Sequence, residues 1–361
     1  MCMTTRLTIA DLTGDLVIYR DLQPCATDMP GLAHLRVPLG LPPDRVPRKR
    51  DSDYARVILA LLTQIQRRRV TPPLRTLLVI GDTHNDRQMA AHLRAVSGVP
   101  VFACIGADQN DTAPALTWDG DTASATRWAL LSEWLEQVRS RCVSQNATRS
   151  SGWGDAAILL DIDKTLLGPR GRADRPIDEA RIEAALQIAL GLFGSSVDPT
   201  GFQRLYTTLC QSEYHSLTLD NQDYVVFITL LLAANVISLT ALRQGMTDGT
   251  LTTFAEVLAA VAERLPPALT ALHAEVQAAH QAGDPTPFKA FRHAEFAATV
   301  ARMADGRLTF CREVVTTARS LIAQGALCLA TSDKPSEASL PTPQQAASGL
   351  LPLHHTPAWV A

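Results

Sequence analysis

The chain has 361 residues, 46% hydrophobic and 19% charged, with a formal net charge of -3 and a pI of about 6.3. That length allows two domains, or one with a large insertion, and the apolar share is enough to bury a core. The charge balance excludes a global pull towards nucleic acid or an anionic membrane. Seven scattered cysteines (Cys2, Cys25, Cys104, Cys142, Cys210, Cys311, Cys328) form no CxxC pair. This argues against a disulfide framework or a zinc site and for a reducing cytoplasm. The start, Met1-Cys2-Met3-Thr4-Thr5-Arg6, lacks the apolar stretch of a signal peptide.

Short strands are expected at Leu7 to Ile9 and Leu16 to Tyr19, around Asp11-Leu12-Thr13-Gly14-Asp15. Pro24 to Pro47 reads as loop, followed by the basic residues Arg45, Arg48, Lys49 and Arg50. Val57, Ile58, Leu61, Leu62 and Ile65 fall at helical spacing, so Tyr54 to Ile65 predicts a helix with Arg67-Arg68-Arg69 near its end, where cations suit the dipole. The apolar run at Thr76 to Ile80 then leads into Gly81-Asp82-Thr83-His84-Asn85-Asp86, a helical pattern closed by Gly98, and a strand from Val99 to Ile105. This is a β-α-β unit with aspartates at the carboxyl end of its first strand. His84 has no partner at ligand spacing and reads as a surface residue. Trp128 to Val138 predicts an amphipathic helix, and the polar stretch Ser140 to Gly154 a linker.

Ala156 to Leu160 is an apolar run ending in Asp161-Ile162-Asp163-Lys164-Thr165. It reads as a buried parallel strand with its polar residues at the carboxyl edge, where open α/β sheets bind ligands. Residues i and i+2 of an extended chain point the same way, so Asp161 and Asp163 can converge. Ile177 to about Ala304 is helical almost throughout. Within it, Val225 to Ile237 is the longest apolar run, but Thr229 and Asn235 break it and it is too short to span a bilayer, so it predicts a buried helix. Val314 to Ala323 predicts a helix, and Ala326 to Ala330 a strand running into Thr331-Ser332-Asp333-Lys334-Pro335. The tail from Pro341 is Pro-rich.

Paired carboxylates suit phosphoryl transfer. One attacks phosphorus, and the other protonates the departing alkoxide and then deprotonates water. Two anions so close to a phosphate need a divalent cation, and Mg²⁺ takes hard oxygen ligands. Asp161-Ile162-Asp163-Lys164-Thr165 resembles the first motif of the haloacid-dehalogenase-like (HAD) phosphohydrolases, Asp-x-Asp-x-Thr. Gly81-Asp82 to Asp86 resembles their fourth, Gly-Asp-x-x-x-Asp. Thr331-Ser332-Asp333-Lys334-Pro335 resembles their second, a Ser or Thr that binds the phosphoryl group, with either Ser332 or Thr331 as the equivalent. The third is a Lys or Arg one helix ahead of the fourth. Lys49 fits, with Arg48, Arg50 and Lys334 as competitors.

The resemblance implies an α/β, Rossmann-like parallel sheet with a large all-helical C1-type cap inserted after the first motif. It divides the chain into a core half at 1–145 with the third and fourth motifs, a linker and nucleophile strand at 146–168, a cap at 169–310 and the rest of the core at 311–361. It implies a Mg²⁺-dependent phosphomonoester hydrolase acting on a small phosphate ester, with no nucleic-acid or membrane partner, and it leaves room for a homo-oligomer. Asp161, Asp163, Lys49, Ser332 and Thr331 become the catalytic residues, and Asp161, Asp163, Asp82 and Asp86 the metal ligands. Arg170, Arg172, Arg204, Tyr214, His215 and Lys289 are polar residues of the cap range. A phosphomutase, a catalytically weak binding or regulatory protein and a nucleotide-sugar glycosyltransferase are the other readings.

The motif order departs from the family, because the third and fourth look-alikes precede the first and second. A circular permutation explains this if both halves build one sheet. Tandem units explain it if Asp11-Leu12-Thr13-Gly14-Asp15-Leu16-Val17 is a scrambled first motif. Halves supplied by different chains are the third arrangement. The permuted reading requires the strand at Ala156 to Leu160 to pair beside Leu77 to Ile80.

Overall fold

The computed structural model describes residues 5–43, 45–69, 71–144 and 152–361, apart from the side chains of 143 and 144. The N-terminal stretch with Cys2, and the middle of the expected linker, lie outside the described residues. The chain divides into two compact units. One comprises Met1–Ile177, Thr299–Leu340 and Gly349–Ala361, and the other Asp178–Ala298 and Pro341–Ser348. Residues 169–177 and 299–310, assigned to the cap range from the sequence, therefore belong with the sheet.

The strands of the first unit are β1 (Arg6–Leu7), β2 (Val17–Ile18), β3 (Thr76–Gly81), β4 (Val101–Gly106), β5 (Leu116–Asp119), β6 (Thr122–Ala125), β7 (Ala156–Asp161), β8 (Leu327–Thr331) and β9 (Ala358–Trp359). Seven of them form one sheet in the order β2-β8-β7-β3-β4-β6-β5, parallel except for the β5–β6 hairpin. β1 and β9 pair separately, Arg6 opposite Trp359. β3, β7 and β8 are buried along their whole length, which is why they read as unbroken apolar runs.

β3 and β7 pair in parallel, from Thr76 opposite Ala156 to Ile80 opposite Leu160. This is the pairing that a shared site requires. A single sheet holding β2 to β6 from upstream and β7 and β8 from downstream also overturns the tandem arrangement. Asp11 is no strand-end residue. It sits in the helical turn α1 (Ala10–Thr13), where its carboxylate accepts from the Thr8 backbone N–H and hydroxyl.

The other helices of this unit are α2 (Leu32–Leu39), α3 (Ser52–Arg68), α4 (His84–Ser97), α5 (Leu131–Ser144) and, after the helical insertion, Arg312–Ala323. α2 lies inside the stretch expected to be loop. Pro38 reads as a breaker there, but it falls in the last turn, just before Gly40 ends the helix in the left-handed region. α2, α3 and α4 share one core cluster with Leu77, Val79, Ala157, Leu159, Leu327 and Leu329. The Arg312–Ala323 helix contacts both α1 and α5, while α1 also contacts β8 and α5 contacts β4.

The second unit holds only helices among its described residues. α6 (Arg175–Phe193) leads into it, and α7 (Pro199–Leu209), α8 (His215–Thr218), α9 (Gln222–Ala233), α10 (Leu239–Thr247), α11 (Phe254–Val261) and α12 (Pro267–Gln281) follow. α13 (Lys289–Asp305) leads out, so the Arg312–Ala323 helix is α14, and Pro343–Ala347 is α15. Asp223 to Leu232 of α9 are all buried, Thr229 included, so the run forms the expected buried helix. Tyr224 stacks on Phe254 at 3.9 Å between ring centroids. The buried Asp223 carboxylate is held by Arg292 at 2.7 Å, and Arg292 also meets Glu295. Among the described residues no helix is long and apolar enough to cross a membrane, and the described cysteines are free of disulfides.

Candidate functional site

Because β8, β7 and β3 are parallel neighbours, their carboxyl ends share one edge. Asp161 ends β7, Asp82 follows β3, and Thr331 and Ser332 stand at the end of β8. Lys49 arrives just ahead of α3. It is 2% exposed, and its ammonium donates to Asp161 Oδ1 and, at 2.8 Å, to Asp86 Oδ1. Of its competitors, Arg50 is exposed, Lys334 lies nearer Asp163, at 3.9 Å from Oδ1, and the Arg48 backbone N–H donates to Asp51.

Asp86 is fixed by its own helix. Thr83 is the N-cap of α4, and Asp86 three residues later completes a capping box, its Oδ2 accepting from Thr83 N–H at 3.1 Å and Thr83 Oγ1 at 2.6 Å. Gly81 makes room for this. A Cβ there would stand 2.4 Å from both Cβ and Cγ of Asp86. His84, at the start of α4, is exposed as expected.

After β7 the chain folds straight back. Leu166 N–H reaches the Asp161 carbonyl at 3.2 Å and Leu167 N–H the Ile162 carbonyl at 2.8 Å. Lys164 takes a left-handed φ of 62°, and its carbonyl accepts from Arg170 N–H at 2.7 Å. The fold-back brings two side chains onto Asp82: Thr165 Oγ1 donates to Oδ1 at 3.3 Å and Arg170 Nε to Oδ2.

One ligand atom each from Asp82, Asp86 and Asp161 lies within 4.8 Å of the other two, and all three residues are buried. This cluster could hold a metal ion. Asp161 Oδ2 is buried without a hydrogen-bond partner among the described residues, so the cluster has an oxygen to spare. Asp163, also expected to be a ligand, is not part of it. Its Oδ2 accepts from Ser332 Oγ at 3.0 Å, and Lys334 Nζ stands 3.9 Å from Oδ1.

The charges do not balance in place. Burial pushes the Asp161 carboxyl well above the usual range; Lys49 opposes this, while Asp86 and Asp82 reinforce it. Burial raises Asp82 too, against Arg170. At Asp86 burial works the same way, but Lys49 and Thr83 outweigh it and hold the carboxyl down. For Lys49, burial opposes the charge, yet Asp161 and Asp86 overcome it and keep the ammonium protonated. Asp333 adds to the negative field around Lys49. Three buried carboxylates against one ammonium and one half-exposed guanidinium favour a further cation.

Ser332 and Thr331 face different partners. Ser332 donates to Asp163 and accepts from Lys334 N–H at 2.9 Å. Thr331 lies opposite Asp161 in the β7–β8 register and beside the buried Tyr54 hydroxyl, whose proton burial holds more tightly than usual. Sequence reasoning left Tyr54 as a helix-face residue and gave Thr165 no task. Arg170 was one of the polar residues of the expected cap range, but it binds Asp82 at the sheet edge. The other polar candidates have local partners: Arg172 binds Asp108 and Glu313, Tyr214 meets Arg243, His215 meets Asp220, and Lys289 meets Asp284. Arg204 is exposed on α7.

Comparison with protein-family models, with curated proteins and with solved structures finds no match.

Proposed function

We propose that the chain is a Mg²⁺-dependent phosphomonoester hydrolase of the HAD-like kind, with a circularly permuted core, acting on a small phosphorylated metabolite. One observation carries this reading. Lys49 bridges Asp161 and Asp86 at the shared edge of β8, β7 and β3, joining in one site the motif look-alikes that the sequence separates. All of these residues come from one chain, so a site completed by a second chain is not required.

Asp82, Asp86 and Asp161 would hold Mg²⁺, since an all-oxygen, carboxylate-rich donor set suits a hard divalent ion. Bound there, the ion offsets the repulsion between carboxylates and phosphate. A carboxylate oxygen of Asp161 attacks phosphorus. The new O–P bond forms as the ester P–O bond breaks, and Asp163 gives its proton to the departing alkoxide. Asp163, now a carboxylate, takes a proton from water, and that water displaces Asp161 to release inorganic phosphate. Lys49 neutralises charge on Asp161 and on the phosphoryl oxygens. Ser332 turns its hydroxyl from Asp163 to a phosphoryl oxygen, with Thr331 behind it on the same strand end. Asp178–Ala298, the larger part of the helical unit, is inserted between β7 and β8 in sequence, where a C1-type cap stands in this kind of hydrolase, which supports a small soluble substrate by analogy.

The test is hydrolysis of para-nitrophenyl phosphate by the metal-stripped chain with Mg²⁺ restored, followed by a panel of phosphorylated metabolites. Turnover that needs Mg²⁺ and disappears in Asp161→Asn is expected. No turnover on any phosphate ester of the panel would overturn the reading.

A further inference from the structure

A second set of ligating side chains stands away from that site. Asp15 lies between α1 and β2. His354 and His355 lie just ahead of β9, His355 being 340 residues from Asp15. Asp15 Oδ1 is 2.8 Å from His355 Nε2 and 3.5 Å from His354 Nε2, and one ligand atom from each residue lies within 4.8 Å of the other two. Donors about 2.0–2.1 Å from a tetrahedral ion stand about 3.3 Å apart, and the distances from Asp15 to the two imidazoles bracket that edge. The lack of a CxxC pair spoke against a zinc site, but these donors include no cysteine.

The two imidazoles are not equivalent. His355 and Asp15 are exposed and open to an incoming ion. His354 is 3% exposed, and its Nδ1 lies 3.4 Å from the hydroxyl of Tyr19, itself 1% exposed. An imidazole anchored through one nitrogen with the other aimed at shared donors is the arrangement that fixes a metal-binding tautomer. An ion pair between His355 and Asp15 accounts for the shorter contact. It does not account for a second, buried imidazole aimed at the same carboxylate oxygen.

We propose that Asp15, His354 and His355 bind a borderline divalent transition ion of the Zn²⁺ class, leaving a fourth position to water. Two nitrogen donors and one carboxylate select such an ion over Mg²⁺. Bound there, the ion ties the segment before β2 to the segment before β9, whose outer ends already meet in the β1–β9 pair.

The full-length chain, stripped with a chelator and kept in excess Mg²⁺ to fill the carboxylate cluster, is titrated with Co²⁺ and then Zn²⁺. One equivalent of Co²⁺ should give visible absorption bands that Zn²⁺ abolishes, and Zn²⁺ should raise the melting temperature. His355→Ala and Asp15→Asn alter exposed side chains and should keep the fold. Each should weaken Zn²⁺ binding at least tenfold and lose both the bands and the thermal shift. Asp161→Asn should retain all three. If His355→Ala and Asp15→Asn bind Co²⁺ as the unaltered chain does, or if that chain gives no bands, the three residues make an ion pair only and the proposal is overturned.

Discussion

The two clusters at the sheet differ in donor, burial and charge, and the differences sort what each can hold. Asp82, Asp86 and Asp161 offer only oxygen, are buried, and carry more negative charge than Lys49 and Arg170 offset. Asp15, His354 and His355 offer one oxygen and two nitrogens, with two of the three residues at the surface. In the first cluster desolvated like charges face one another, a repulsion that a proton or a hard cation relieves. The second is tolerable when empty, because Asp15 and His355 stay in contact with water. Geometry that brings ligands together is thus common to both, and crowded buried carboxylates belong to the first alone.

Asp161→Asn against His355→Ala separates the two most sharply. In phosphatase assays Asp161→Asn should lower kcat at least about a thousandfold, the scale on which covalent nucleophiles act. His355→Ala should leave kcat within about twofold. Equal losses in both would break the division of labour.

Lys49→Met comes next, read on stability. Removing one member of a buried ion pair costs about 3–5 kcal/mol, because the remaining charges lose their partner. Urea unfolding should show a drop of that size without Mg²⁺ and a smaller one with it, since the ion replaces part of the missing charge. A drop unaffected by Mg²⁺ would count against a cation among these carboxylates.

Gly81→Ala tests the packing beneath the cluster. Its Cβ would meet Asp86 at 2.4 Å, and overpacking of this kind costs about 1–3 kcal/mol. Displacing Asp86 should weaken half-saturation by Mg²⁺ about tenfold, or about 1.4 kcal/mol, while Zn²⁺ binding at Asp15 stays unchanged. Unaltered Mg²⁺ dependence would remove Asp86 from the ligand set.

These contrasts also mark what the sequence could reveal. β3, β7 and β8 were legible because a strand buried on both faces is an unbroken apolar run, and the residues ending each run were its polar ones. The β3–β7 pairing followed from the two halves being complementary. The β5–β6 hairpin was not legible, because Leu116–Asp119 lies half in solvent and offers no apolar run. Arg170 on Asp82 depends on a fold-back with Lys164 at positive φ, a conformation that lysine does not announce. The Asp15 cluster has no local pattern, since Asp15 and His355 stand 340 residues apart in the sequence.

The loop bearing Arg170 supplies the smallest and most specific test. Arg172 grips Glu313 with both terminal nitrogens at 2.9 Å and Asp108 with Nε at 2.6 Å. Gly171 packs so close that a Cβ would stand 2.0 Å from the Asp108 carbonyl oxygen. Arg172 therefore holds in place the loop from which Arg170 reaches Asp82. Arg172→Gln should leave the strands intact and loosen that reach, shifting Mg²⁺ half-saturation roughly threefold, about 0.7 kcal/mol. The tie also has a pH signature. Burial opposes the charge on Glu313, but the bonds from Arg172 outweigh it and hold the carboxyl below its ordinary range. A depressed folded-state pKa means that the unfolded chain protonates first as the pH falls, so the stability from this pair is present at neutral pH and is lost in acid. The acid-induced fall in melting temperature should be smaller in Arg172→Gln than in the unaltered chain. Equal falls would show that Glu313 gains nothing from its partner and that the loop is held by Gly171 packing alone.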